Sequence, residues 1–225
     1  MSGDASSPLG VVVLISGRGS NLQAIIDTTH AGKLPVDLRA VISNEPDATG
    51  LQYAQAAHIP VHVVCHRDFA SRDAFDQALI QKIDACRPQL VVLAGFLRIL
   101  GKNFIDHYAG RLINVHPSLL PNFPGLNTHA RALESGVAHH GATVHFVTNE
   151  VDTGPTIIQA RVKVLPRDTP ESLAARVLEE EHRIFPLAIR WFAENRLRLD
   201  GRRVLLDGKV SPEQGLGGTD SDNPP

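Results

Sequence analysis

Two polar side chains able to do chemistry stand two residues apart in an otherwise apolar stretch. They are Asn114 and His116, within Leu112-Ile113-Asn114-Val115-His116-Pro117-Ser118-Leu119-Leu120-Pro121. If this run is a strand, alternation sends both side chains from one face. Pro117 holds His116 extended and cannot continue a central ladder, so the strand stops there. An amide donor beside an imidazole at the end of a buried strand suits a reaction in which an oxygen gains charge and a proton moves. A capping Asn and a structural His in a turn fit the same pattern. Asp152, in Asp152-Thr153-Gly154-Pro155, is either an Asx-turn residue or the carboxylate that orients His116.

Ser16-Gly17-Arg18-Gly19-Ser20-Asn21 follows the apolar run Val11 to Ile15 and precedes a helical pattern opened by Leu22, Ile25 and Ile26. Strand, glycine turn and helix start form a phosphate cradle, because glycines let the backbone approach an anion and the helix end supplies free N–H groups. Ser20 and Asn21 are placed to cap the helix or to donate to the phosphate. Leu22 stands where a dinucleotide fingerprint has its third glycine, which favours a single phosphate group. A tight turn that binds nothing is the alternative.

Glu181 falls on the apolar stripe of Leu173, Val177, Ile184 and Ala188, in a helix capped by Thr169, opened by Pro170 and expected to kink at Pro186. A carboxylate facing a core needs a partner or a ligand, because unpaired burial costs on the order of several kcal/mol. Arg98, in the apolar segment Gly95-Phe96-Leu97-Arg98-Ile99-Leu100, either binds a carboxylate or is a solvated loop charge. His145 shares a strand face with Thr143 and Val147, as a satisfied sheet histidine or one that looks into the cleft. The adjacent His139 and His140 read as surface residues before a turn rather than as metal ligands.

The elements that must position these residues alternate along the chain. Strands are expected at Val36 to Ser43, Val61 to Val64, Leu90 to Gly95 and Ala142 to Val147, with helices at Leu51 to Ala57, Ser71 to Pro88, Lys102 to Tyr108 and Thr128 to Ser135. Ile158, Ala160, Val162 and Val164 alternate with polar residues, as in an antiparallel strand at a sheet edge. A hairpin about Asp200-Gly201 follows the last helix. The fold class is α/β: a Rossmann-like, open, mostly parallel twisted sheet with helices on both faces and an antiparallel edge. A single domain is expected over 10–208, between a disordered leader (1–9) and a disordered tail (209–225). Ligands of such sheets bind outside the carboxyl ends of strands, where the Gly17 loop, the Phe96 loop and Asn114 with His116 all fall.

The 225 residues are 43% hydrophobic and 20% charged, with a formal net charge of -2, as in a soluble globular protein. That balance gives no electrostatic reason to expect nucleic acid or an anionic membrane surface. Cys65 and Cys86 lack metal or redox spacing, no apolar run reaches membrane-helix length, and Met1 to Pro8 lacks the regions of a signal peptide. A cytoplasmic location follows as the expectation.

Taken in order, Ile15-Ser16-Gly17-Arg18-Gly19-Ser20-Asn21-Leu22-Gln23, Ala94 to Leu100, Asn114 to Pro121 and Asp152-Thr153-Gly154-Pro155 resemble the folate-dependent phosphoribosylglycinamide formyltransferase family, over about Val11 to Gly208. The resemblance implies formyl transfer from 10-formyltetrahydrofolate to phosphoribosylglycinamide in purine synthesis, with Asn114, His116 and Asp152 as the catalytic residues and no metal. By the same resemblance Gly17, Arg18, Gly19, Ser20 and Asn21 hold the substrate phosphate, and Glu181 contacts the ribose or glycinamide end. Phe96, Leu97, Arg98, Ile99, Leu100 and Val151 line the folate pocket, with His145 in support. Asn127 and Asn122 depart from the pattern, which often has His and Lys there. The implied partners are small molecules, without nucleic acid or membrane, in a monomer or homodimer. A formyltetrahydrofolate hydrolase would carry a regulatory domain before the first strand and have no use for a phosphate cradle. A methionyl-tRNA formyltransferase would carry a further domain after the catalytic one. A non-catalytic nucleotide-binding module would not need Asn114, His116 and Asp152 together.

Overall fold

A computed structural model describes residues 7–210. In chain order its elements are β1 (Leu9–Ile15), α1 (Ser20–His30), β2 (Val36–Ser43), α2 (Gly50–Ala56), β3 (Val61–Val63), a short 3-10 turn (His66–Asp68), α3 (Arg72–Ala85), β4 (Leu90–Leu93), α4 (Lys102–His107), β5 (Leu112–His116), α5 (Thr128–Glu134), β6 (His139–Phe146), β7 (Thr156–Lys163), α6 (Pro170–Ala193), β8 (Leu197–Asp200), β9 (Arg203–Leu206) and β10 (Lys209–Val210). Seven strands form one sheet in the order β3-β2-β1-β4-β5-β6-β7. Pairing is parallel from β3 to β5 and antiparallel from β5 through β6 to the edge strand β7. Strands β8, β9 and β10 make a separate antiparallel sheet.

The wholly apolar run in β1 is explained by burial on both sides. Val11, Val13 and Ile15 join the cluster that includes Leu22, Ile25 and Ile26 of α1 and Leu173, Val177 and Ile184 of α6. Val12 and Leu14 join Phe75, Leu79 and Ile83 of α3 and Phe104 of α4 on the opposite face. A strand covered by helices on both faces has no solvated side to mark with polar residues. The helix ends are capped as their sequences suggest: Ser71 Oγ accepts from Ala74 N, and Thr169 and Ser172 form a reciprocal box.

The chain steps outward from β1 to β2 and β3, then crosses to β4 on the other side of β1. The loops leaving β1 and β4 therefore diverge at their carboxyl ends and open a crevice, the place where open α/β sheets bind ligands. Ser16 N donates to Gly95 O at 3.1 Å and holds the two loops side by side.

Three local expectations are changed. Strand β1 begins at Leu9 and β10 pairs Lys209 and Val210 with β9, beyond the expected bounds of 10 and 208. Residues 1–6 and 211–225, where the rest of the leader and tail were expected, lie outside the described residues. Neither Ser20 nor Asn21 caps α1: Gly19 occupies the N-cap with φ 75° and no side chain caps it. His140 is not a surface residue before a turn, because pairing with Val162 carries β6 back to His139 and turns His140 into the core at 0% exposure. Its ring meets those of Phe123 and His129 edge-on, and burial is the first cause of its pKa falling to about 4. Pro186 lies inside α6, which continues past it to Ala193.

Candidate active site

The last residues of β5 and the loop after β6 bring four polar side chains together. Asn114 pairs with His145 and His116 with Thr143 across the β5–β6 ladder, so Asn114 and His145 face the same side as neighbours. Asn114 Nδ2 lies 3.3 Å from His145 Nε2, and His145 Nδ1 lies 3.0 Å from Phe146 O. Burial, ahead of every other influence, lowers the His145 pKa. A neutral ring with its proton on Nδ1 satisfies both contacts: it donates to Phe146 O and accepts one N–H from Asn114. That leaves the second N–H of the Asn114 amide free and fixes which end of the amide faces out.

Asp152 closes the group. It stands at φ 55°, a left-handed conformation that Asp tolerates better than most residues. Its Oδ2 is 3.3 Å from His116 Nδ1 and its Oδ1 is 3.7 Å from His145 Nε2. Oδ2 also accepts from Gly125 N at 2.8 Å, which ties the carboxylate to the 117–127 loop. From the same loop the Phe123 carbonyl lies 3.0 Å from His116 Nε2. His116 thus faces a carboxylate from one ring nitrogen and a carbonyl from the other, and both neighbours are acceptors.

Asn114, His116, His145 and Asp152 border a cavity of about 370 Å³ that runs under Phe96, Leu97, Ile99 and Leu100. Its mouth carries exposed apolar side chains: Leu97, Ile99, Leu126 and Val151 are 75%, 65%, 76% and 55% exposed. Large apolar groups left in water around one opening mark a ligand site, and the volume suits a fused-ring molecule. Arg98 also lines it, with its guanidinium 5.9 Å from the centre of the Phe75 ring.

On the other side of β1 the Gly17–Asn21 loop leads into α1. Gly17 O accepts from Gly50 N at 2.9 Å, and a Cβ at Gly19 would lie 2.5 Å from Gly50 Cα. Arg18 is exposed. Asn21 turns inward, where its Nδ2 donates to Glu181 Oε2 at 2.6 Å and joins α1 to α6. Gly19→Ala is expected to displace this loop, since both the positive φ and the close approach exclude a side chain. A cost of about 1–3 kcal/mol in a denaturant melt is the expected result.

Glu181 is 7% exposed, and burial pushes its carboxyl up to about 7, with the Asn21 amide opposing the shift. Because the folded-state value lies above the ordinary 4.5, the folded protein holds a proton there that the unfolded chain has released. The associated stability is complete below about 4.5 and is lost as pH rises through about 7. Glu181→Gln removes this titration. Between about pH 5 and 8 the parent is expected to lose on the order of 2 kcal/mol more stability than Glu181→Gln, read as a larger fall in its melting temperature. Parallel thermal melts at the two pH values measure it.

The residues expected to carry catalysis or binding fall in two groups: the Asn114 cluster with its cavity, and the Gly17 loop with Glu181. The backbone groups Phe123 O and Gly125 N, and the side chain Leu126, were not picked out. They act through a loop whose Pro121, Pro124 and Gly125 signal a shaped path without saying which main-chain atoms face inward. Asn122 is exposed and enters through its carbonyl, which accepts from Ser118 Oγ at 2.6 Å. Asn127 holds the αL position before α5 at φ 57°, without a side-chain cap. Among the described residues no three of His, Cys, Asp and Glu are arranged to hold a metal ion.

A family model described as "Formyl transferase" matches residues 9–189. The phosphoribosylglycinamide formyltransferase of Escherichia coli is 52% identical over 207 residues, 92% of this chain and 98% of that protein. A solved phosphoribosylglycinamide formyltransferase from Coxiella burnetii, in complex with CHES, superposes with a TM-score of 0.89 at 52% identity, covering 93% of this chain and 99% of that one. A formyltetrahydrofolate deformylase from Pseudomonas syringae pv. tomato superposes with a TM-score of 0.83 at 27% identity, covering 89% and 66%.

Proposed function

The chain belongs to the formyl transferase family, and from that premise we propose that Asn114, His116 and Asp152 carry its reaction, with Gly17–Asn21 and Glu181 holding one substrate and the Phe96–Leu100 cavity the other. The protein is a phosphoribosylglycinamide formyltransferase: it moves a formyl group from 10-formyltetrahydrofolate to the glycinamide amine of 5'-phosphoribosylglycinamide, in purine biosynthesis. The observation that carries the residue assignment is the convergence of Asn114, His116 and Asp152 on the wall of the apolar cavity.

In this reading the amine nitrogen bonds to the formyl carbon, whose oxygen gains charge, and the bond from that carbon to the folate nitrogen then breaks. The Asn114 amide, held by His145, donates to the charged oxygen, and His116 donates beside it. The amine must lose a proton and the departing folate nitrogen must gain one; His116, backed by Asp152, passes it directly or through an ordered water. His116 Nε2 lies 3.0 Å from Phe123 O, so for that nitrogen to serve the substrate the ring must leave this carbonyl. The apolar mouth takes the ring system of the folate, Arg98 its carboxylate tail, and the unbonded amides of the first turn of α1 take the phosphate.

Formyl transfer followed by folate absorbance, with and without phosphoribosylglycinamide, tests the assignment. Turnover that needs the ribonucleotide supports it. Equal turnover without it would favour the hydrolytic reading, for which the fold of the deformylase is the supporting observation. Glu181 and the Gly17 loop weigh against hydrolysis, because water as acceptor uses neither. We place the reaction in the cytoplasm, in a monomer or homodimer acting on small molecules. Among the described residues no helix is long and apolar enough to cross a membrane.

A further inference from the structure

Between the two binding loops stands a side chain that the reaction does not use. Ser16 is the first residue after β1 and immediately precedes Gly17. Its hydroxyl accepts from Leu97 N at 2.8 Å and donates to Asn44 Oδ1 at 2.5 Å. The direction is fixed, because a backbone N–H can only donate and a hydroxyl has one proton to give. Asn44 is 3% exposed, and its Nδ2 lies 3.2 Å from His66 Nδ1. The His66 ring meets Phe75 edge-on at 6.5 Å, and Arg98 lies over that same Phe75 ring. The Phe96–Leu100 segment is therefore tied to Ser16 twice: directly at Leu97 N, and through Asn44, His66 and Phe75 at Arg98. On its other side Ser16 continues into Gly17, whose carbonyl is anchored by Gly50 N.

We propose that Ser16 is a positioning residue that couples the two substrate sites. It registers the folate-binding segment against the phosphate loop, so that filling one site tightens the other. The proposal rests on the reading above for which substrate each loop takes. The physical reason is that Phe96 and Leu100 anchor the segment in the core while Leu97 is 75% exposed, so the hydrogen bond from the Leu97 amide to the Ser16 hydroxyl sets the register of its exposed part against the neighbouring loop. Coupling of this kind is reciprocal, so the ribonucleotide changes folate affinity by the factor by which folate changes ribonucleotide affinity.

Two measurements on the full chain decide it. Amide exchange followed by NMR should find Leu97 N–H protected in the parent and exchanging at least about tenfold faster in Ser16→Ala, with protection kept in Ser16→Thr, which retains the hydroxyl. Titration with tetrahydrofolate, with and without saturating phosphoribosylglycinamide, should give a coupling factor of about fivefold or more in the parent, near one in Ser16→Ala, and largely restored in Ser16→Thr. Should Ser16→Ala fail to fold, Ser16→Cys keeps the size with a weaker acceptor and takes its place. Fast exchange at Leu97 in the parent, a coupling factor of one in the parent, or undiminished coupling without the hydroxyl would each overturn the proposal. Failure of the assigned reaction shows separately, as absent formyl transfer and absent tetrahydrofolate binding, while exchange at Leu97 still reports what Ser16 holds.

Discussion

His116→Ala is expected to lower turnover by roughly 100-fold to 10,000-fold while leaving the affinity for phosphoribosylglycinamide within about twofold. His116 is 6% exposed at the end of β5, and its two ring nitrogens face Asp152 and the Phe123 carbonyl. None of these contacts reaches the Gly17–Asn21 loop after β1 or Glu181 of α6, the groups proposed to hold the phosphate and sugar. Truncation therefore removes the group proposed as both proton carrier and oxyanion donor without touching the groups proposed to bind the ribonucleotide. Single-turnover transfer measured beside equilibrium binding of the ribonucleotide separates the two effects. Weakened binding with normal turnover at saturation would show that His116 is only a structural residue of the loop.

The second large effect falls on Asp152. Its carboxylate reaches His116, His145 and the Gly125 amide, so it links both histidines to the 117–127 loop. Asp152→Asn keeps an oxygen for the Gly125 N–H and the small polar shape that tolerates φ 55°, but it loses the charge that backs His116. A fall of about 100-fold or more in turnover with little change in melting temperature is the expected result. Asp152→Ala also leaves the Gly125 amide without its acceptor, and should add a destabilisation of about 1–3 kcal/mol. Comparing the two variants by kcat and by denaturant melts separates charge from anchoring. If Asp152→Asn stayed within about fivefold of the parent, Asp152 would be a turn residue that happens to lie beside His116.

Much of this was legible in the chain itself, for physical reasons that differ from residue to residue. The run Val11 to Ile15 suited a strand buried on both faces, and with glycines after it and Leu22, Ile25 and Ile26 beyond, it outlined a strand, loop and helix unit. Asn114 and His116 declared a shared face through their spacing, and Glu181 declared itself by standing on an apolar stripe. Alternation of elements pointed to the open sheet, and alternation of apolar with polar residues from Ile158 to Val164 to its antiparallel edge at β7. All these signals are local, carried by periodicity and by turn residues.

What the chain could not declare depends on atoms far apart in sequence meeting in space. Sequence left His145 between a sheet residue and a cleft residue; the β5–β6 register chose, by setting its ring against the amide of Asn114. It put His140 at the surface, and pairing with β7 buried it. It offered Asn21 as a cap, and α6 supplied a carboxylate that drew the side chain inward instead. Phe123 O and Gly125 N are main-chain groups whose chemistry is the same at every position, so no residue type announces them. Ser16 is one serine among many until β1 and β4 are neighbours, when its hydroxyl lands between the amide of Leu97 and the side chain of Asn44. Residue types and their spacing determined which groups were available for chemistry; strand order and loop path decided which of them meet, because a hydrogen bond is made over about 3 Å of space and not along the chain.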